Sequence, residues 1–394
     1  MKINTLTSAA IKNKVVLIRV DFNVPLKAGK VLENTRIAES IPTFRFLLKN
    51  GAKQIHVLTH VGRPKEGPTP ELSTKNLIPE FEKLLGEKVE YRADFTAGKG
   101  KIQLHENVRF YPGEKKSNPE FAKEILKGTG AEVFVNDGFG VSHRGDTSVV
   151  GFADHIPCVA GLLVSKEIEA LSPFLSKKKI PGLMIVAGGL KLETKVPVLM
   201  HFAQTADHIL LGGGVANNFA VAQGFNIGES FYQEEFVKDA RRVLKIANQN
   251  KTGIHIPIDV ICADDPESVN TVDLPLEDVV GSAKIFDIGL HTIASYIELL
   301  EHAKIIIWNG PLGLFEKDQF ETGTKKILTF LSTHPSAKVI LGGGDTLESL
   351  NKFGIPQKKF FHVSTGGGAM LEFLEGKELP GIEQLKAKNK TEKS

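Results

Sequence analysis

The chain has 394 residues, 41% apolar and 24% charged, with 49 Lys and Arg against 46 Asp and Glu for a formal net charge of +3. These values suit a globular chain of two or three domains. No apolar run reaches the roughly 18 residues of a membrane span, the first residues lack the apolar core of a secretory signal, and Cys158 and Cys262 are too few for a disulfide framework or a zinc site. A cytoplasmic protein is the expectation. The charge is uneven: residues 1–150 balance at +7 and the remainder at −4, so the N-terminal half is the better host for an anionic partner.

In chain order, VVLIRVDFNV over residues 15–24 predicts a buried strand that delivers Asp21 and Asn23 at its carboxyl end. Arg36 follows in a polar stretch read as loop. A helix is predicted from Ala38 to Asn50, with Ile41, Phe44, Leu47 and Leu48 on one face and Gly51 as its stop. QIHVLT predicts a second strand, ending at His60, Gly62 and Arg63, and a Pro/Gly-rich loop runs on to Pro70. Leu72 to Leu85 reads as helix, closed by Gly86. IQLHENVRF places Asn107 and Arg109 beyond a third strand, and AEVFVNDGFG places Asn136 and Asp137, then His143 and Arg144, beyond a fourth. Arginine suits bidentate binding of phosphate and carboxylate. Four arginines and two histidines at strand ends therefore point to an anionic ligand, although any one of them alone reads as a surface ion-pair partner.

Val159 to Leu171 reads as an amphipathic connecting helix, and the lysines at 177–179 close the connector. The second half then repeats one grammar. LMIVAGG (Leu183–Gly189), HILLGGG (His208–Gly214), IIIWNGP (Ile305–Pro311), KVILGGGDTL (Lys338–Leu347) and FHVSTGGG (Phe361–Gly368) each run from apolar segment to small polar loop. In an open parallel sheet such loops lie together at the carboxyl ends of the strands, where ligands bind. A helix opening after glycines presents free N–H groups to a phosphate. Asp345 beside phosphates implies a divalent cation between them. Lys191 and Lys195, four apart, are predicted to share a helical face. Together these features support phosphoryl transfer between two anionic ligands. No Ser-His-Asp or paired-glutamate spacing is present, and neither a P-loop nor a GxGxxG pattern occurs at the glycine triplets. Two other readings stay open at this point: a two-domain enzyme acting on a different small acid, and a non-enzymatic binder that uses the basic half for nucleic acid. Against the second, no RNA-recognition or helix-turn-helix motif is evident.

RVDFNVP (Arg19–Pro25), THVGRP (Thr59–Pro64), ENVRF (Glu106–Phe110), WNGPLGLFE (Trp308–Glu316), GGGDT (Gly342–Thr346) and HVSTGGGA (His362–Ala369) together resemble the phosphoglycerate kinase family, in order and over nearly the whole chain. The resemblance implies two doubly wound parallel-sheet α/β domains facing across a cleft: 1–158 for the acid, 177–369 for the nucleotide, a connecting helix at 159–176, and a tail of about 370–394 returning to the first domain. It implies a monomer that phosphorylates 3-phosphoglycerate with Mg-ATP, and the reverse reaction from 1,3-bisphosphoglycerate and ADP, by in-line transfer after hinge closure. By that resemblance Asp21, Asn23, Arg36, His60, Arg63, Arg109 and Arg144 bind the acid. Lys195, Gly212, Gly213, Asn309, Glu316, Gly343, Gly344, Asp345 and Thr346 hold the nucleotide, with Asp345 on Mg2+. Arg36 and Lys191 act on the moving phosphoryl group, assisted by the backbone of Gly367 and Gly368. Membrane and nucleic-acid partners are not expected. Four positions depart from the family's usual wording: Gly138, Leu190, His291 and Met370.

Overall fold

The computed structural model describes residues 2–64, 67–333 and 336–386. By its internal contacts the chain divides into one unit that runs to Ser172 and resumes at Lys377, and a second unit of Pro173–Gly376. The first break thus falls later than residue 158, and the return begins later than residue 370. Residues 387–394 of the expected tail lie outside the described residues.

Besides a small Leu26–Lys27/Lys30–Val31 ribbon, the first unit has the strands β1 (Val15–Arg19), β2 (Gln54–Leu58), β3 (Glu90–Arg92), β4 (Ile102–His105), β5 (Val133–Asn136) and β6 (Cys158–Ala160). They form a parallel sheet in the order β3-β4-β2-β1-β5-β6. Every residue of β1, β4 and β5 is buried, as expected of a parallel sheet covered on both faces. Register does the functional positioning. Arg19 pairs with Leu58 on one side and with Asn136 on the other, so the segments after these three strands leave the same sheet edge. At β1 the strand order turns from β2 to β5, the switch point at which open α/β sheets bind ligands.

Three predicted elements differ. The helix holding Arg36 begins at Thr35, not Ala38, because the Glu33 carboxylate accepts the Thr35 N–H at 2.6 Å and starts the first turn early. Leu72 to Leu85 is not continuous: the α-helix is Ile78–Leu85, preceded by 3-10 turns at Pro70–Leu72 and Thr74–Leu77, and Gly86 closes it as predicted. The apolar run CVAGLL splits at Gly161 into strand β6 and a Leu162–Leu171 helix; a short apolar run has no period that separates the two. The returning segment is bound to this unit. Asn4 N–H donates to the Leu385 carbonyl at 2.7 Å, and Asn136 Nδ2 donates to the Gly381 carbonyl at 2.9 Å.

The second unit contains β7 (Leu183–Ala187), β8 (His208–Leu211), β9 (Gly253–His255), β10 (Ile305–Asn309), β11 (Lys338–Gly342) and β12 (His362–Ser364). All are parallel, in the order β9-β8-β7-β10-β11-β12, the doubly wound dinucleotide-fold order with its switch point between β7 and β10. Ala187 pairs with Leu211 and Asn309, Asn309 with Gly342, and Gly342 with Ser364. The five glycine-bearing loops therefore emerge from one edge in one rank, as their shared grammar predicts. A small antiparallel sheet of Asp259–Ala263, Val272–Pro275 and Lys284–Ile288 adjoins it. Ala220, Ile227, Val260, Cys262, Leu276 and Val279 form its separate core cluster.

Candidate active site

At the switch point of the first sheet, the loop after β1 carries Asp21, which is buried and forms an ion pair with Arg36 Nη1 from the first turn of its helix. The loop after β2 is stitched to it. Phe22 N–H donates to Thr59 Oγ1 at 3.0 Å, Gly62 N–H donates to Asn23 Oδ1 at 2.8 Å, and Arg109 Nη1 donates to the Gly62 carbonyl at 2.6 Å. Asn107 Nδ2 holds the Val61 carbonyl at 2.8 Å, and Asn107 Oδ1 accepts the Arg109 N–H at 3.1 Å. Asp21, Asn23 and Arg36 are thereby gathered, with His60 Nδ1 3.9 Å from Asp21 Oδ1, and Arg109 reaches them through Gly62. Arg63, Arg109 and Arg144 line a cavity of about 680 Å³ together with Tyr111, Lys115 and Asp146.

The pocket is crowded with positive charge. Arg109 is pushed down to about 10 by burial and by the neighbouring Arg144 and Arg19, a crowding of like charge that an anionic ligand relieves. It stays a cation at neutral pH. His60 is driven well below its usual range, chiefly by burial and then by Arg19, Arg109, Arg144 and Arg36, so its imidazole is neutral. Arg144 Nε is buried without a hydrogen-bond partner; a donor in that state is costly unless a ligand accepts from it.

The second unit builds a different apparatus. The loops after β7 and β10 interlock: Gly188 N–H donates to the Asn309 carbonyl at 3.1 Å, and Gly189 N–H to the Pro311 carbonyl at 2.7 Å. A Cβ on Gly188 would lie 1.9 Å from the Pro311 oxygen, so the close approach of these loops requires glycine. Gly212 precedes the Gly213–Gln223 helix, and Gly213 N–H donates to the Leu312 carbonyl at 2.8 Å. Gly343, at φ 100°, allows the chain to turn from β11 into the Gly344–Lys352 helix. Thr346 Oγ1 accepts the Gly310 N–H at 2.9 Å and locks this turn to the Asn309 loop. Asp345 is exposed in the first turn of that helix. Glu316 is exposed on a turn whose carbonyls are held by Lys352 Nζ. Gly367, at φ 53°, precedes the short Gly368–Leu374 helix.

The lysines depart from their predicted arrangement. The helix after β7 starts only at Val196, so Lys191 and Lys195 lie on the preceding turn and share no helical face. Pro197 at the second helical position favours a start there. Lys191 is exposed, whereas Lys195 is 8% exposed and donates from Nζ to Asn309 Oδ1 at 2.6 Å. Lys195 is pushed down to about 8 by burial, a shift that the charge of Asp345 opposes and Lys191 reinforces. A phosphate would restore its charge, so binding takes up a proton once the free lysine has lost its own. We expect nucleotide affinity to be flat below pH 8 and to fall by up to about tenfold per pH unit above it; calorimetry with ADP from pH 7 to 9.5 checks this, and a flat profile would remove Lys195 from the site.

Of the four departures, Leu190 is 58% exposed, with Cδ2 3.0 Å from where a Cβ on Gly214 would lie. His291 Nδ1 lies 3.0 Å from Asp259 Oδ2, and Met370 is fully buried. Gly138 leaves the space where an added Cβ would come 2.9 Å from a methyl of Val141. Sequence reasoning gave no role to Arg19, Glu114 or Ser148, which support the pocket from below. The one available signal was an arginine inside the otherwise apolar run VVLIRV.

A family-wide sequence profile described as phosphoglycerate kinase matches residues 6–377. The phosphoglycerate kinase of Thermosipho africanus is 39% identical, over 98% of this chain and 99% of its own length. That of Leptospira biflexa is also 39% identical, over 98% of each chain. Among solved structures, phosphoglycerate kinase from Coxiella burnetii matches with a TM-score of 0.86 at 36% identity, covering 98% of this chain and 99% of that one. The Pyrococcus horikoshii enzyme matches with 0.80 at 34%, covering 95% and 96%.

Proposed function

Because this chain belongs to the phosphoglycerate kinase family, we propose that it moves a phosphoryl group reversibly between ATP and the carboxylate of 3-phosphoglycerate, giving ADP and 1,3-bisphosphoglycerate. The observation that carries this reading is the contrast between two doubly wound sheets in one chain. One ends in an arginine pocket suited to a small, highly charged acid, and the other in interlocked glycine loops with a buried lysine, suited to a nucleotide polyphosphate.

The acid belongs in the first unit. Arg63, Arg109 and Arg144 take its phosphate, while Arg36, Asn23, Asp21 and His60 orient its carboxylate end. The nucleotide belongs in the second, against Gly212, Gly213, Asn309 and Glu316, with Lys195 on its phosphates and the N–H groups of Gly343, Gly344 and Thr346 nearby. The acceptor is a carboxylate that is already ionised at neutral pH, so the reaction requires no general base. The neutral His60 agrees with that. Catalysis then rests on position and charge: Arg36 and Lys191 offset the charge on the moving group, and the N–H groups of Gly367 and Gly368 supply further donors. Closure of the two units during turnover belongs to the same proposal, since the transfer must exclude water.

A magnesium ion fits this donor set. No group of three or more His, Cys, Asp or Glu that could hold a metal occurs among the described residues, and Mg2+ bound with nucleotide needs only one or two carboxylates besides phosphate oxygens and water. Asp345, exposed at the helix start, is that carboxylate. When bound, the ion supplies charge neutralisation across the phosphates.

The test is ADP formation from ATP, with the acyl phosphate drained by a coupled dehydrogenase. Turnover strictly dependent on both 3-phosphoglycerate and Mg2+ is expected. A folded protein that binds both ligands and does not turn over would contradict the proposal.

A further inference from the structure

We infer that Arg19, a residue buried beneath the pocket, sets the tautomer of His60. It does so as the end of a fixed chain of groups running from Glu114 through Ser148. The inference rests on the reading that His60 meets the acid ligand.

Arg19 is the last residue of β1 and is 1% exposed. Its guanidinium is held on three sides: Nε donates to Ser148 Oγ at 2.8 Å, Nη1 donates to the Val20 carbonyl, and Nη2 lies 3.2 Å from His60 Nδ1. Ser148 is anchored in turn, its Oγ donating to Glu114 Oε1 at 2.6 Å and its backbone N–H to Glu114 Oε2 at 2.9 Å. Glu114 is 2% exposed; burial pushes its carboxyl up, whereas Arg19 and the two Ser148 bonds favour its charged form, the counter-charge that a guanidinium inside the sheet requires. The opposing groups agree: burial lowers Arg19, while Glu114, Asp21 and Asp146 favour its charged form.

A guanidinium can only donate. His60 Nδ1 must therefore accept, and a neutral imidazole that accepts at Nδ1 carries its hydrogen on Nε2. The competing partner is too far to reverse this: Asp21 Oδ1 is 3.9 Å from the same nitrogen, beyond hydrogen-bond range. Asp21 is also already committed to Arg36. The other charges facing the ring (Arg36, Arg109 and Arg144) all disfavour an imidazolium. His60 is thus held as a neutral Nε2–H donor. It contributes a hydrogen bond to an anion and no titrating charge, and Arg19 is a positioning residue acting through it.

The test is a long-range proton–nitrogen correlation spectrum of the His60 ring in the full-length, ligand-free protein at pH 7. The expected pattern is an unprotonated Nδ1 and a protonated Nε2. A Nδ1–H tautomer or an imidazolium in the wild type overturns the inference. In Arg19→Met the bias should disappear, giving mixed or Nδ1–H tautomers, and Arg19→Lys, which keeps a donor, should restore part of it. An unchanged tautomer in a folded Arg19→Met protein also overturns the inference. If Arg19→Met does not fold, the wild-type spectrum alone decides. Alongside the spectrum, KM for 3-phosphoglycerate should rise about tenfold or more in Arg19→Met, the value of one hydrogen bond to a charged group, with KM for ATP unmoved. A tautomer that behaves as expected with an unmoved acid KM would keep the Arg19–His60 link and remove His60 from the acid site.

Discussion

Replacing Lys191 by alanine should lower kcat by about 10²–10³-fold, the scale of losing one donor aimed at transition-state charge, while leaving the folded protein as stable as before. The kinetic half follows from the proposed role of Lys191 on the moving group, and the stability half from where the side chain sits. Lys191 is exposed on the turn between Gly189 and the Val196–Thr205 helix, and exposed substitutions of this kind usually change stability by less than about 0.5 kcal/mol. Lys195, by contrast, is buried and bonded to Asn309, so under the proposed function it serves the ground state and the fold of the loop. On that proposal, two lysines four residues apart have separable tasks. The check is kcat and both KM values for Lys191→Ala together with its thermal midpoint. Turnover within about threefold of wild type, well short of the loss of a single such donor, would exclude Lys191 from the mechanism.

The second large effect is expected at Arg36. Removing this guanidinium deletes a donor and also uncovers its partner, since Asp21 is paired with it and its side chain is only 10% exposed. An uncompensated carboxylate in an arginine pocket then repels the very ligand that the pocket collects. Arg36→Ala should therefore lower kcat/KM for the acid by about 10³-fold or more, two losses each worth on the order of 2 kcal/mol. Arg36→Lys should recover only part, because an ammonium restores the charge but not the planar fork. Asp21→Asn in the Arg36→Ala background should regain affinity without regaining turnover. Equal losses in kcat/KM for Arg36→Ala and for the double variant would show that the uncovered carboxylate contributes nothing.

Much of this architecture was legible in the residues because it depends on local features. Five apolar runs that end in glycine loops required strands with a common direction, and the register places Ala187, Leu211, Asn309, Gly342 and Ser364 in one rank. The arginines at the ends of the first unit's strands were readable for the same reason. What was not legible lay outside those local patterns. The early start of the Thr35–Lys49 helix turns on one capping carboxylate. The split of Cys158–Leu171 into strand and helix turns on β6 having β5 to pair with. The small antiparallel sheet in the second unit was not foreseen, because Val272–Pro275 is largely exposed, which leaves little alternation to read. Arg19 was hidden for the opposite reason. A charge inside a buried strand is tolerable only with its partners, and Ser148 lies 129 positions away.

The division of labour between the two units is the centre of this account. The most direct measurement is backbone amide NMR, recording which resonances move with 3-phosphoglycerate alone and which with Mg-ADP alone. The acid should shift amides of Asp21–Asn23, His60–Arg63, Arg109 and Arg144, and leave the second unit's glycine loops unchanged. The nucleotide should shift Gly188–Lys195, Gly212–Gly214, Asn309–Gly310 and Gly343–Thr346. Acid-dependent shifts centred on the glycine loops, or nucleotide-dependent shifts centred on the arginine pocket, would contradict the account.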